Sequence, residues 1–124
     1  MVEKRVMIVD DEPSIRIALE VLLKGEGFEV TTADSGQKCI EELKKGFKGV
    51  ILMDIMMPNM DGWDTIKEIV EDDLLEGNII SMLTAKDAPD QKMEGLQEYV
   101  IDYITKPFEP DELVATVEGY LGYL

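Results

Sequence analysis

The 124-residue chain reads as an α/β domain of (βα)5 type, a five-stranded parallel sheet covered by helices on both faces. Three observations predict this. Short apolar runs rich in branched residues alternate with stretches of helical periodicity from one end of the chain to the other. Four of the runs stop at a residue capable of chemistry: Val6-Met7-Ile8-Val9 at Asp10-Asp11, Val50-Ile51-Leu52-Met53 at Asp54, Ile79-Ile80-Ser81-Met82-Leu83 at Thr84, and Tyr103-Ile104-Thr105 at Lys106-Pro107. No repeat, low-complexity tract or linker interrupts the alternation, so residues 1–124 are expected to form one domain.

Each element has its own signal. After the first strand, Pro13 suits the first position of a helix, where a missing N–H costs nothing. Ile15, Ala18, Leu19, Leu22 and Leu23 follow the spacing of a buried helical stripe, and Gly25 and Gly27 can end it. Phe28 to Ala33 reads as the second strand. Ser35 then caps a helix carrying Ile40 and Leu43, with Gly46 and Gly49 bracketing the turn into the third strand. Asp61-Gly62 is a turn signal before a helix with Ile66, Ile69 and Val70 on one face. Glu71 to Gly77 is acidic and is expected to be an exposed loop. Pro89 opens a weaker helix with Met93 and Leu96 inward, and Pro110 opens the last, whose stripe is Leu113, Val114, Val117 and Leu121.

Composition narrows the function. Twenty-seven acids against twelve bases give a net charge of −15, which repels phosphate backbones and argues against direct nucleic-acid binding. There is no histidine, which removes histidine triads, histidine metal sites and phosphohistidine. A hard cation held by oxygen ligands is the metal that remains. No apolar stretch approaches the roughly 18 residues of a membrane span. Met1 to Arg5 lead straight into the first strand with no room for a signal peptide, so a cytoplasmic location is expected. Cys39, the single cysteine, is expected to be a reduced, partly buried residue on the second helix.

Parallel strands place their carboxyl ends along one edge of the sheet, where open α/β sheets bind ligands. Asp10, Asp11, Asp54, Thr84 and Lys106 therefore converge on one pocket. Close carboxylates raise one another's pKa and destabilise an empty site unless a cation neutralises them, and Mg²⁺ suits one or two carboxylates plus water. Asp10-Asp11 alone could be acids at the start of the first helix, meeting its dipole. A third acid, a lysine and a threonine at other strand ends argue against that coincidence.

The motifs Val9-Asp10-Asp11-Glu12, Met53-Asp54-Ile55-Met56-Met57-Pro58-Asn59-Met60-Asp61-Gly62, Thr84-Ala85 and Tyr103-Ile104-Thr105-Lys106-Pro107-Phe108 resemble the receiver domain of two-component response regulators, as in chemotaxis regulators. The resemblance covers essentially the whole chain. It implies a flavodoxin-like three-layer sandwich with strand order 2-1-3-4-5. Asp54 would take a phosphoryl group from a sensor histidine kinase and form an acyl phosphate. Asp11, Asp54 and the backbone carbonyl of Met56 would bind Mg²⁺ directly, with Asp10 acting through water. Lys106 would pair with the phosphate, aimed by a cis Lys106-Pro107 bond. Thr84 and Tyr103 would be the switch, altering a face made by the fourth helix, fifth strand and fifth helix that a downstream protein or output domain reads. The protein would be a monomer or a phosphorylation-dependent dimer, assisting only its own phosphorylation and dephosphorylation rather than acting as an enzyme.

Two other readings fit less well. A Mg²⁺-dependent phosphatase or phosphotransferase using an aspartyl-phosphate commonly places a second acid two residues after the nucleophile, where this chain has Met56. A flavin-binding module needs a phosphate-cradling loop after the first strand, where Asp10-Asp11-Glu12 repels phosphate. Met56 and Lys86 occupy the two positions that vary among receivers and influence hydrolysis of the acyl phosphate, and a thioether predicts slow self-dephosphorylation. Glu98-Tyr99-Val100-Ile101-Asp102 replaces a glycine-containing turn, so the fourth helix should end differently. Trp63, near the pocket rim, and Met57 are read as packing.

Overall fold

The computed structural model of the protein describes residues 3–85 and 95–124. In chain order its elements are β1 (Arg5–Val9), α1 (Pro13–Gly25), β2 (Glu29–Ala33), α2 (Gly36–Lys44), β3 (Gly49–Asp54), α3 (Gly62–Glu71), β4 (Asn78–Ala85), β5 (Val100–Lys106) and α4 (Pro110–Tyr120). All strand pairs are parallel and their order is β2-β1-β3-β4-β5. The expected helix opening at Pro89, including Met93, lies outside the described residues, as does Lys86. The last helix, α4, is therefore the fifth counted from sequence. Among the described residues no helix is long and apolar enough to cross a membrane.

β1 and β3 occupy the middle of the sheet, so side chains on both of their faces are covered. Met7, Val9, Ile51 and Met53 join Cys39, Ile40 and Leu43 of α2 and Trp63, Ile66 and Ile69 of α3 in one core layer. Val6, Ile8, Val50 and Leu52 join Leu19 and Leu23 of α1 and Leu113, Val117 and Tyr120 of α4 in the other. This is the expected three-layer sandwich. Ser35 caps α2 by accepting from the Lys38 N–H, as its residue type predicts.

Several elements differ from expectation. In α1, Leu19 and Leu23 are buried but Ile15 and Leu22 are half-buried and Ala18 is exposed, because the helix meets the layer along one narrow seam. β5 is an edge strand with Ile101 and Tyr103 exposed, not a buried run, and it begins at Val100. The segment after α3 is tied down: Leu74 and Leu75 pack against the core, and the Leu74 N–H donates to the Ile69 carbonyl. Cys39 is fully buried, and desolvation, with help from Glu42, pushes its thiol up to about 12, so it is inert. In the turn before β5 the left-handed residue is Gly95, at φ +85°, which lets Tyr99 sit in a short 3₁₀ turn instead.

Tyr120, the last residue of α4 and three after Val117 on the same stripe, is buried, and Leu121, which opens a 3₁₀ turn, is half-buried. The Tyr120 hydroxyl lies 2.8 Å from Ser81 Oγ and donates to Asp102 Oδ2 at 2.8 Å. Asp102 Oδ1 in turn accepts from the Tyr103 N–H, so one carboxylate joins α4 to the edge strand beside a register shift at Ile80/Ser81. Tyr120→Phe removes the links to Ser81 Oγ and Asp102 Oδ2, leaving the buried Ser81 hydroxyl only its 3.3 Å hydrogen bond to the Asp102 carbonyl, and is expected to cost about 1–2 kcal/mol in urea unfolding. A loss below about 0.5 kcal/mol would contradict this role for the network.

Candidate functional site

The carboxyl ends of β1, β3, β4 and β5 deliver the side chains expected from the sequence. β1 ends where the Asp10 N–H donates to the Ala33 carbonyl of β2 at 3.1 Å. Asp10 is fully buried; its Oδ1 accepts from the Glu12 N–H at 2.9 Å and its Oδ2 from Lys106 Nζ at 3.1 Å. β3 ends at Asp54, which is 5% exposed. Asp54 Oδ1 accepts from the Met56 N–H at 3.3 Å and lies 3.3 Å from Lys106 Nζ. Asp11 is half-buried, and oxygens of Asp10, Asp11 and Asp54 lie within 4.8 Å of one another.

The loop after β3 holds Asp54 in place. The Ile55 N–H donates to the Leu83 carbonyl at 3.1 Å, and the Gly62 N–H returns to the Ile55 carbonyl at 2.9 Å. Asp61 and Asp64 form a reciprocal capping box at the start of α3. A Cβ on Gly62 would sit 2.7 Å from the Asp54 carbonyl oxygen and 2.8 Å from Met82 Cε, so a side chain here would displace the acid. The sequence marks Asp61-Gly62 as a turn, and this close approach is why glycine fills it.

Lys106, the last residue of β5, bridges two acids at the ends of two other strands. Its peptide bond to Pro107 is cis, as the resemblance implied. Burial works against the lysine's charge, but the hydrogen bond to Asp10 and the fields of Asp54 and Asp10 outweigh it, and its pKa is raised. Burial and then the Asp10 charge push Asp54 up to about 6, with Lys106 and the Met56 N–H pulling the other way. One ammonium therefore faces three acids. An all-oxygen donor set with an excess of negative charge fits a hard divalent cation such as Mg²⁺.

Thr84 stands at the end of β4, with its hydroxyl donating to the Ala85 carbonyl at 3.1 Å. Tyr103, one strand over, is 36% exposed, and its ring centroid lies 6.4 Å from that of Trp63. Trp63 is buried packing, as expected, although its indole N–H has no hydrogen-bond partner among the described residues. The Met56 side chain points outward and is 65% exposed, and Met57 is buried.

Arg16 escaped the sequence reading. Its Nη1 donates to the Asp10 carbonyl at 2.8 Å, so the first helix grips the loop that carries the acid pair. The only signal was an arginine one turn into a helix that follows two acids.

Comparison with known proteins agrees with this geometry. The family described as the response regulator receiver domain matches residues 6–118. A CheY-like response regulator receiver domain protein from Methanospirillum hungatei is similar in structure, with a TM-score of 0.93 and 56% identity, covering 96% of this chain and 94% of that one. The phosphate regulon transcriptional regulatory protein PhoB of Pseudomonas aeruginosa is 39% identical over 121 residues, 98% of this chain and 53% of PhoB. The transcriptional regulatory protein TrcR of Mycobacterium tuberculosis is 37% identical over 117 residues, 94% of this chain and 45% of TrcR. The chain spans about half the length of the curated relatives it matches.

Proposed function

This chain belongs to the response regulator receiver domain family, and we propose that it acts as one phosphorylation-controlled switch with Asp54 as the phosphoryl acceptor. The observation that carries the proposal is Lys106 bridging buried Asp10 and Asp54 beside Asp11, at the ends of separate strands. With its pKa at about 6, Asp54 is mostly ionised at neutral pH and is a competent nucleophile. A carboxylate oxygen attacks the phosphorus of a phosphohistidine on a sensor histidine kinase. The P–O bond forms as the P–N bond breaks, the imidazole keeps the electron pair, and an acyl phosphate remains.

Mg²⁺, held by Asp11, Asp54 and the Met56 carbonyl with Asp10 acting through water, would neutralise charge on the transferring oxygens. Lys106 lies within reach of both acids and moves its charge from Asp54 to the new phosphoryl group. The Thr84 hydroxyl exchanges the Ala85 carbonyl for a phosphoryl oxygen, and Tyr103 moves into the space vacated. β5 and α4 then carry the change to a downstream protein or output domain. Met56 offers no amide or carboxylate to orient a hydrolytic water, so the acyl phosphate is long-lived and turnover of an external substrate is disfavoured.

Intact mass after incubation with Mg²⁺ and acetyl phosphate tests this reading. The wild type is expected to gain one phosphoryl group and Asp54→Asn none. A gain retained by Asp54→Asn would move the acceptor elsewhere. No gain by the wild type from either acetyl phosphate or a phosphorylated kinase would refute the switch.

A further inference from the structure

Trp63 is 2% exposed, yet its indole N–H has no hydrogen-bond partner among the described residues. A buried tryptophan N–H ordinarily finds an acceptor, and one left without costs the fold its desolvation. The buried side chains of the core layer that Trp63 joins are aliphatic or carry sulfur, a weak acceptor, so they offer the indole nothing strong. A phenol stands at the margin. The Tyr103 ring centroid lies 6.4 Å from that of Trp63, within the range of aromatic contact, and the two rings are tilted by 47°.

Strand register explains why the two rings share a face. Tyr103 pairs with Met82 across β4 and β5, and paired residues of neighbouring strands project to the same side of a sheet. Met82 belongs to the layer covered by α2 and α3. Its Cε is the atom that a Cβ on Gly62, the residue before Trp63, would approach to 2.8 Å. Thr84 follows Met82 by two residues on β4 and so faces the same way. Space given up by Thr84 therefore opens on the face where the indole lies.

We propose that Trp63 is the latch of the phosphorylated state: the Tyr103 hydroxyl accepts a hydrogen bond from the Trp63 indole N–H once the tyrosine ring has turned inward. The unphosphorylated fold carries the cost of the orphaned donor and the inward arrangement removes it, so the bond favours one state over the other. Trp63 acts through Tyr103 and not on the phosphoryl group, which makes it a positioning residue. The inference rests on the proposed switch and adds to it the group that holds the switched ring.

The chain has one tryptophan, so an isotope-labelled sample gives a single indole N–H signal by NMR. Tyr103→Phe keeps the ring and loses the hydroxyl. Wild type and this variant are compared with and without Mg²⁺ and excess acetyl phosphate, at equal phosphoryl occupancy by intact mass. In the wild type, phosphorylation is expected to move the indole proton downfield and to slow its exchange with solvent about fivefold, as a hydrogen bond of ordinary net strength would. In Tyr103→Phe both changes should be lost. The same changes in Tyr103→Phe would overturn the proposal, because arrival of the ring alone would then account for them. An indole signal that stays in place in the phosphorylated wild type would overturn it too, and would leave the switch standing. Wild type that takes up no phosphoryl group, from acetyl phosphate or from a phosphorylated kinase, would refute the switch and this inference with it.

Discussion

Lys106→Met is expected to remove about 3 kcal/mol of stability from the metal-free protein at pH 7. The lysine is the only ammonium within ion-pair distance of Asp10 and Asp54 among the described residues, and its side chain is only 20% exposed. Removing one partner of a buried pair leaves the other charge without compensation, which costs far more than the intact pair was worth. Here two carboxylates are stranded together. A lysine whose pKa is raised by folding contributes its stabilisation fully at every pH below its ordinary value, roughly 10.4, so wild type has the whole effect at pH 7. In the variant, Asp54 loses its nearest counter-charge and its pKa climbs above about 6. At pH 5 the acid takes up a proton and the loss should shrink. Added Mg²⁺ should restore part of the stability at pH 7, because it supplies the missing positive charge. Urea unfolding at the two pH values, with and without Mg²⁺, checks each step. A loss below about 1 kcal/mol, or one equal at both pH values, would mean that Lys106 does not hold the acid pocket together.

How far the sequence announces this site depends on which physics sets each part. Asp10, Asp54 and Thr84 are visible because a buried parallel strand is an apolar run and its end is abrupt. The strand order is not contained in that periodicity and needed the resemblance. β5 is half hidden, since an edge strand need not be apolar: Asp102 interrupts the run, and Ile101 is turned outward by the register shift. Tyr120 lies on the same helical stripe as Val117, three residues after it, but its phenolic tip hides it in a reading that follows only aliphatic positions. Arg16 was missed because its contact is with a backbone carbonyl, which no residue pattern encodes. The role of Gly62 lies in a distance to the Asp54 carbonyl and not in a motif.

Asp54→Asn should move stability the other way, making the metal-free protein about 1–2 kcal/mol more stable at pH 7.5, a figure reduced for partial solvation. A carboxyl group pushed up to about 6 by burial and by Asp10 is one that the fold prefers to keep protonated. Below its ordinary value, roughly 4, both folded and unfolded chains hold the proton and the acid costs nothing. Between there and pH 6 the unfolded chain ionises first, so wild-type stability falls as pH rises, and above 6 the full penalty persists. Asparagine carries no such penalty. It retains an amide oxygen for the Met56 N–H and leaves Lys106 to Asp10. The advantage of the variant should therefore be absent near pH 4, grow toward pH 6 and stay level beyond it. Saturating Mg²⁺ should narrow the gap at pH 7.5, since the cation stabilises the ionised acid only in the wild type. A variant less stable than wild type at pH 7.5 would show that Asp54 is held chiefly by Lys106 and not strained by burial. The acid that weakens the metal-free fold is the proposed phosphoryl acceptor, and a cation bound beside it would offset the penalty that burial and Asp10 impose.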